Sequence, residues 1–127
     1  MVEIASLVLF SVDLEQTAAF YRMIGLHLDD EDHGDGPRHL AADLGGVHFA
    51  IFAADDSAGR APQWRESGSS FPGFYVASLD DTLAALAGSG VTVLTGHQVR
   101  PWACRAVVED PDGRAVEINQ RGHCRNQ

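Results

Sequence analysis

A single acidic side chain, Glu117, lies in an otherwise apolar stretch near the end of the 127-residue chain. Residues 107–118 read as an apolar strand, an Asp-Pro-Asp-Gly turn and a second strand that carries this acid. Because Pro111 fixes φ for the second position of a turn, we expect a hairpin here. Pairing about that turn places Arg105 opposite Glu117 on one face of the sheet. The two side chains are therefore candidates for an ion pair.

The chemistry of Glu117 stays open at this point. Beside Arg105 it is either half of a structural ion pair or a cavity acid that accepts a hydrogen bond from a ligand. In an apolar cavity its pKa could also be raised, which would suit proton transfer. His48 is the nearest second group by strand parity, although a lone histidine in a strand is more often a satisfied or exposed side chain. No nucleophile elbow, phosphate-binding glycine loop or Cys/His dyad accompanies these residues.

The elements that position these residues occur twice in the chain. An apolar strand over residues 4–11 leads into an amphipathic helix pattern that begins near Leu14 and ends at Gly25. In the second half of the chain, Leu79 and Gly90 occupy the positions that correspond to Leu14 and Gly25. Each half reads as a strand, a helix and three further strands. The sequence thus predicts an α+β fold made of two tandem βαβββ modules.

We treat residues 1–127 as one domain containing both modules. The first module covers about residues 2–54, a linker rich in Pro, Gly and Ser covers about residues 55–70, and the second module covers about residues 71–121. Residues 29–38 are rich in Asp, Gly and His, and we expect them to form a loop.

The composition limits the classes of partner. The chain carries 18 acidic and 9 basic side chains, a formal net charge of −9, which disfavours nucleic acid and anionic membranes and would attract a cationic small molecule. No apolar run is long enough for a membrane span, and no signal peptide is evident. The cysteines, Cys104 and Cys124, show neither a disulfide framework nor a metal-ligand spacing. We therefore expect a cytoplasmic protein that folds without disulfides.

The duplicated module, the helix that runs through Phe-Tyr-Arg-Met-Ile-Gly-Leu at residues 20–26, and the closing Asp-Pro-Asp-Gly-Arg hairpin resemble the vicinal oxygen chelate superfamily, which includes glyoxalases, extradiol dioxygenases and bleomycin-resistance proteins. The resemblance extends from residue 2 to about residue 121. It implies that paired modules enclose a cavity, in which enzymatic members hold a metal ion with histidine or glutamate ligands.

The resemblance assigns four positions to those metal ligands, and this chain fills them with Ser6, Ala50, Phe71 and Glu117. One oxygen donor of the usual kind does not hold a divalent ion, since protein sites use three or more ligands. We therefore expect no metal and no other cofactor. The remaining alternative is a metal site displaced from these four positions, in which His48 and Glu117 are the ligands.

Strand alternation and composition predict an aromatic cavity instead of a metal centre. Ser6, Val8 and Phe10 should share the inner face of the first strand, and the later strands should add further rings. Each ring could equally be ordinary core. The predicted ligand-binding residues are Phe10, His48, Phe52, Trp64, Phe71, Tyr75, Trp102, Arg105 and Glu117.

Among members of the superfamily, the chain is most similar to the bleomycin-resistance branch, whose Pro-Trp-Gly-x-Arg stretch resembles residues 101–105. This similarity implies a homodimer with shared or swapped cavities. It also implies a binding protein that confers antibiotic resistance by sequestering an aromatic, bleomycin-like or enediyne-like natural product. The alternatives are an enzyme of the same fold, namely a lyase, isomerase or dioxygenase, and a metal-free cyclase or epimerase.

Overall fold

The computed structural model of the chain describes residues 3–31, 37–54, 68–101, 103–122 and 124. The chain forms two compact units, unit 1 (Met1–Gly59) and unit 2 (Arg60–Gln127). Both have the predicted order of one strand, one helix and three strands, which confirms the α+β fold of βαβββ modules. The elements of unit 1 are β1 (Ser6–Ser11), α1 (Leu14–Ile24), β2 (Asp29–Glu31), β3 (His39–Leu44) and β4 (Val47–Ala53). Those of unit 2 are β5 (Gly73–Tyr75), α2 (Leu79–Gly88), β6 (Val93–Val99), β7 (Ala103–Glu109) and β8 (Ala115–Arg121).

The sheet of unit 1 has the strand order β1-β4-β3-β2, with β1 parallel to β4 and the other pairs antiparallel. Its core lies between the sheet and α1, where the Tyr21 and Phe49 ring centroids are 5.4 Å apart. Both residues are almost fully buried. Since side chains alternate along a strand, the even-numbered residues of β4 lie on the face opposite α1.

Local chemistry explains where α1 begins and ends. The Asp13 carboxylate accepts a hydrogen bond from the Gln16 backbone N–H, which caps the first turn. Gly25 follows the helix with φ 120°, a left-handed conformation that side chains other than glycine rarely adopt. The expected start and stop of the helix are both confirmed.

The sheet of unit 2 has the strand order β5-β8-β7-β6, again with the first pair parallel. The side-chain oxygen of Gln120 accepts a hydrogen bond of 2.8 Å from the Leu79 backbone N–H at the start of α2. Even-numbered residues of β8 therefore face α2, while Glu117 and Asn119 lie on the opposite face. We call the latter the distal face of unit 2.

The β7–β8 hairpin forms as predicted, but its register differs from the expected one. Arg105 lies opposite Asn119, not opposite Glu117, and the last pair before the loop is Glu109 with Ala115. The Asp110 carbonyl accepts the Gly113 N–H, as in a tight turn, but Gly113 has φ 91° and the backbone pairs again at Asp110 with Arg114. The Asp110 carboxylate also accepts backbone N–H bonds from residues 112 and 114. Since the register is displaced by two residues and side chains alternate with a period of two, Arg105 and Glu117 still share a face.

Two further expectations from the sequence are wrong. The predicted loop of residues 29–38 begins instead with strand β2, whose residues pair with β3. The structure also pairs Cys104 with Cys124 in a disulfide, with Cα atoms 6.1 Å apart. That separation suits a disulfide, so the cysteines do not favour a reducing compartment as the sequence suggested. No helix in the described ranges is long and apolar enough to cross a membrane.

Candidate functional site

A hydrogen-bonded network of four polar side chains lies on the distal face of unit 2. Arg105 Nε donates to Glu117 Oε2 at 2.6 Å, and Asn119 Nδ2 donates to Glu117 Oε1 at 2.9 Å. Arg105 Nη1 also donates to the side-chain oxygen of Gln98 at 2.6 Å. Each carboxylate oxygen thus has its own donor, and the guanidinium is held from two sides. The network fixes the orientation of both charged groups.

This network forms one wall of a cavity of about 370 Å³ that lies within unit 2. The close approach of strand β5 depends on Gly73, because a Cβ atom there would lie 3.0 Å from Glu117 Oε1. The aromatic ring of Tyr75 is largely exposed beside the network, and the guanidinium of Arg121 lies 3.7 Å above the ring centroid. The lining residues are Gly73, Phe74, Tyr75, Arg100, Ala103, Arg105, Glu117 and Asn119.

Glu117 is an anion in this network. Partial burial of its carboxyl acts to raise its pKa, but the hydrogen bonds from Asn119 and Arg105, together with the positive charge of Arg105, outweigh that effect. The pKa of Glu117 therefore lies below its ordinary value. The raised pKa that proton donation at neutral pH would require is contradicted.

The charge of the cavity is opposite to that of the chain as a whole. Among the described residues of its lining are the guanidinium groups of Arg100 and Arg105 and one carboxylate, that of Glu117. Within the part of the chain that the structure describes, Arg105 Nη2 makes no hydrogen bond, whereas its Nε and Nη1 are both engaged. A ligand that carries a carboxylate or phenolate oxygen therefore fits this cavity better than a cation.

The predicted site residues of the first module share one face of the unit 1 sheet. The parallel pairing of β1 with β4 places Ser6 beside His48, Val8 beside Ala50 and Phe10 beside Phe52, as expected. Phe10 is 60% exposed, so it is not a core residue of that unit. Its ring centroid lies 5.9 Å from that of Phe52.

A second polar cluster borders those rings. Glu31 Oε1 lies 2.9 Å from His39 Nε2 and 3.1 Å from His48 Nε2, so one carboxylate oxygen contacts both imidazoles. The His39 ring also stacks on Phe52 at 4.1 Å. His48 is thus bound to Glu31, and both oxygens of Glu117 are engaged by Asn119 and Arg105. Each of the two residues named in the alternative of a displaced metal site thus has partners within its own unit.

Phe71, Trp64 and Trp102 are the remaining predicted site residues. Phe71 precedes β5 and is 46% exposed, although it does not line the cavity of unit 2. Trp64 and Trp102 lie outside the described residues. Of the nine predicted site residues, Tyr75, Arg105 and Glu117 are brought together in this one cavity.

The four positions at which the resemblance implies metal ligands do not fit a divalent ion. Ala50 and Phe71 have no donor atom in their side chains, and a serine hydroxyl at Ser6 is a weak substitute for a histidine. The oxygens of the fourth residue, Glu117, already accept hydrogen bonds from Arg105 and Asn119. We therefore assign no chemical step to a metal at these positions.

Sequence reasoning missed several residues of this site. Asn119 lies two positions after Glu117, so strand alternation could have identified it as a neighbour on the same face. Gln98 and Arg100 gave no such signal, because their positions depend on irregular pairing between β6 and β7, where the register shifts twice. The importance of Gly73 depends on its cross-strand partner, which the sequence alone does not identify.

Comparison with known proteins supports the architecture. The sequence model of the Glyoxalase/Bleomycin resistance protein/Dioxygenase superfamily matches residues 3–118. No curated protein sequence matches the chain significantly.

Several solved structures are similar across nearly the whole chain. A glyoxalase/dioxygenase from Nostoc punctiforme has a TM-score of 0.78 at 15% identity, covering 95% of this chain and 92% of that one. A glyoxylase/bleomycin resistance protein/dioxygenase domain from Frankia sp. EAN1pec has a TM-score of 0.74 at 21% identity, covering 98% and 96%. A protein described as oxidase ChaP-H2 has a TM-score of 0.72 at 17% identity, covering 96% and 95%. At these identities the likeness shows the fold alone.

Proposed function

Because this chain belongs to the glyoxalase/bleomycin resistance protein/dioxygenase superfamily, whose fold hosts binding proteins as well as enzymes, we propose that it binds an aromatic natural product without a metal ion. The ligand carries a carboxylate or phenolate oxygen and occupies the cavity on the distal face of unit 2. Binding sequesters the compound and so protects the cell from it, as in the bleomycin-resistance branch that the sequence resembles. A cytoplasmic location is part of this proposal, because sequestration protects an intracellular target.

The observation that carries the proposal is the state of Arg105. Its Nε and Nη1 are held by Glu117 and Gln98, so the guanidinium is oriented before a ligand arrives, and its remaining nitrogen has no partner among the residues that the structure describes. A preoriented guanidinium loses little side-chain entropy on binding, and a hydrogen bond to a charged partner contributes about 1.5–3 kcal/mol.

Tyr75 supplies the aromatic part of the site. Its ring is 58% exposed and already carries the Arg121 guanidinium at one face, which shows that the ring accepts a flat group above it. An aromatic contact adds about 0.5–1.5 kcal/mol beyond the area it buries. A ring next to oriented cationic donors is an arrangement suited to a planar aromatic acid.

Sequestration accounts for the site better than catalysis does. Glu117 is stabilised as an anion and both its oxygens are engaged, so it neither donates a proton at neutral pH nor accepts one readily. The lyase, isomerase and dioxygenase alternatives need a metal at positions that lack the donors. A metal-free cyclase or epimerase would need a proton-transfer group, and Glu117 is poorly suited to that role.

Calorimetric titration tests the proposal. The probes are anthraquinone-2-carboxylate, its uncharged parent anthraquinone, metal-free bleomycin and an isolated enediyne chromophore. We expect the carboxylate to bind at one equivalent per cavity, and the uncharged parent to bind more weakly by roughly tenfold or more, since one charged hydrogen bond is lost. Equal affinity for the charged and uncharged anthraquinones would contradict the role of Arg105.

A second measurement separates sequestration from turnover. After prolonged incubation with the bound probe, the protein is denatured and the released compound is analysed by mass spectrometry. Sequestration predicts quantitative recovery of unmodified compound, and accumulation of a product in proportion to time would identify an enzyme instead.

We also propose that the chain works as a homodimer. Within their respective sheets β1 and β5 are terminal strands, and they carry the exposed apolar residues Val8, Phe10 and Tyr75. Terminal strands with exposed apolar side chains are typical of surfaces that a second chain covers. Sedimentation equilibrium should give twice the chain mass, and a strictly monomeric protein at micromolar concentration would refute this part of the proposal.

A further inference from the structure

A group of three metal-ligating side chains lies on the face of the unit 2 sheet opposite the Arg105 network. His97 belongs to β6, Cys104 to β7, and Cys124 follows the end of β8. One ring nitrogen of the histidine and the two sulfur atoms all lie within 4.8 Å of one another. Sequence spacing did not reveal this group, because three separate segments contribute to it.

The environment of His97 indicates which ring nitrogen is available. Its Nδ1 lies 3.6 Å from Asp80 Oδ1, in the first turn of α2. Its Nε2 is buried and has no hydrogen-bond partner among residues 3–31, 37–54, 68–101, 103–122 and 124. Burying an imidazole nitrogen without a partner is costly, and a metal ion would satisfy it. A carboxylate near the other nitrogen is the usual support of a metal-binding histidine.

The surroundings suit a cation. A polar cavity of about 460 Å³ adjoins the group and is lined by Ala77, Ser78, Asp80, Asp81, His97, Gln120 and Cys124. The described part of this lining includes two carboxylates and neither lysine nor arginine. Cys104 is fully buried, so one ligand is fixed in the sheet while the cavity leaves room for a fourth, exogenous ligand.

We propose that His97, Cys104 and Cys124, in the dithiol state, bind one thiophilic divalent ion of the zinc class. Two thiolates and one imidazole are a donor set that zinc commonly takes, and the fourth tetrahedral position is left to water. Binding replaces two thiol protons with the metal, and no electron is transferred. The disulfide and the metal complex are alternative states of the same sulfurs, because a disulfide offers no thiolate.

The test uses the full chain in two states, one reduced with a phosphine without oxygen and one left oxidised. Each is titrated with Co²⁺, whose thiolate complexes absorb in the near ultraviolet, and then with Zn²⁺. We expect the reduced chain to bind one ion, to release about two protons and to lose the reactivity of two thiols. The oxidised chain should bind none at this site.

Variants assign the ligands. Cys124→Ser and His97→Ala should each weaken binding beyond the roughly 10–100-fold that loss of a supporting residue costs. Asp80→Asn should weaken it within that range, whereas Asp81→Asn, which changes a neighbouring acid of the same cavity, should leave it nearly unchanged. If Cys124→Ser binds Co²⁺ as tightly as the parent chain, or if the reduced chain gives no thiolate absorption, the proposal is overturned.

Circular dichroism covers the case in which reduction unfolds the protein. A reduced chain that unfolds and then refolds upon addition of one equivalent of Zn²⁺ supports the proposal, since metal binding and folding would be coupled. A reduced chain that stays unfolded with Zn²⁺ contradicts it. This site lies on the face away from the ligand cavity, so its test does not depend on the proposed function.

Discussion

Arg105 Nε lies 2.6 Å from Glu117 Oε2 across a diagonal of the β7–β8 pair, while Asn119 occupies the position directly opposite Arg105. The diagonal arrangement lets Asn119 reach the second oxygen of Glu117, so the carboxylate is held from two directions. Among the described residues, the third guanidinium nitrogen of Arg105 has no hydrogen-bond partner. This relationship is the basis of the proposed binding site.

Replacing Arg105 should weaken ligand binding in protein that contains no metal ion. Arg105→Met removes the oriented guanidinium, and loss of a charged hydrogen bond predicts a roughly 10–100-fold lower affinity for anthraquinone-2-carboxylate by calorimetry. Arg38→Met is the matched control, because Arg38 is an exposed arginine of unit 1 that pairs with Glu15 and Asp30. Equal losses in the two variants would exclude a specific role for Arg105.

The lowered pKa of Glu117 predicts a particular loss of stability in acid. A carboxyl whose pKa is lower in the folded state stabilises the protein fully above its unfolded value, near 4.5, and this contribution disappears as the pH falls through the folded pKa. Glu117→Gln should flatten that part of the pH dependence of the unfolding free energy, measured by urea denaturation. Glu3→Gln, at an exposed position, should leave the curve unchanged.

Gly73 is expected to be intolerant of a methyl group. In Gly73→Ala the new Cβ would lie 3.0 Å from Glu117 Oε1, so the carboxylate must shift by a few tenths of an ångström and its bond from Asn119 weakens. We expect reduced affinity for the aromatic acid and a smaller acid-dependent change in stability. Gly96→Ala is the control, since a Cβ there meets nothing within 4 Å. Unchanged affinity in Gly73→Ala would show that the position of the carboxylate does not matter.

The turn at Asp110 should be a major contributor to the stability of unit 2. Asp110 is 2% exposed, and its side chain accepts two backbone hydrogen bonds and lies 2.6 Å from Arg114 Nη1. Asp110→Ala removes this carboxylate from a buried guanidinium, whose contact with Asp112 is longer, at 3.8 Å, and the loss should cost about 3 kcal/mol of unfolding free energy. Asp29→Ala, an exposed residue of β2, should cost much less. A loss below about 1 kcal/mol for Asp110→Ala would contradict this account of the hairpin.

The sequence predicted features that depend on local chemistry and on strand parity. Asp13 and Gly25 delimit α1 because capping needs only adjacent residues, and the faces of β1 and β4 follow from alternation. The turn sequence predicted the hairpin but not its register, in which Gly113 has φ 91° and the strands pair again at Asp110 with Arg114.

Features that depend on three or more separate segments could not be predicted. The grouping of His97 with Cys104 and Cys124 requires that the segment after β8 approach side chains of both β6 and β7, which no spacing rule encodes. The local excess of positive charge near Glu117 was likewise hidden by the net charge of −9, because composition averages over faces that carry different side chains. Net charge therefore predicted a cationic ligand, whereas we propose an anionic one for this cavity.

The decisive measurement for metal-free ligand binding is calorimetric titration of chelator-treated protein with anthraquinone-2-carboxylate. We expect binding to persist after metal removal and to be lost in Arg105→Met, since the ligand is held by a fixed guanidinium and an aromatic ring. Binding that disappears with chelation and returns with a divalent metal ion, or binding that survives in Arg105→Met, would contradict it.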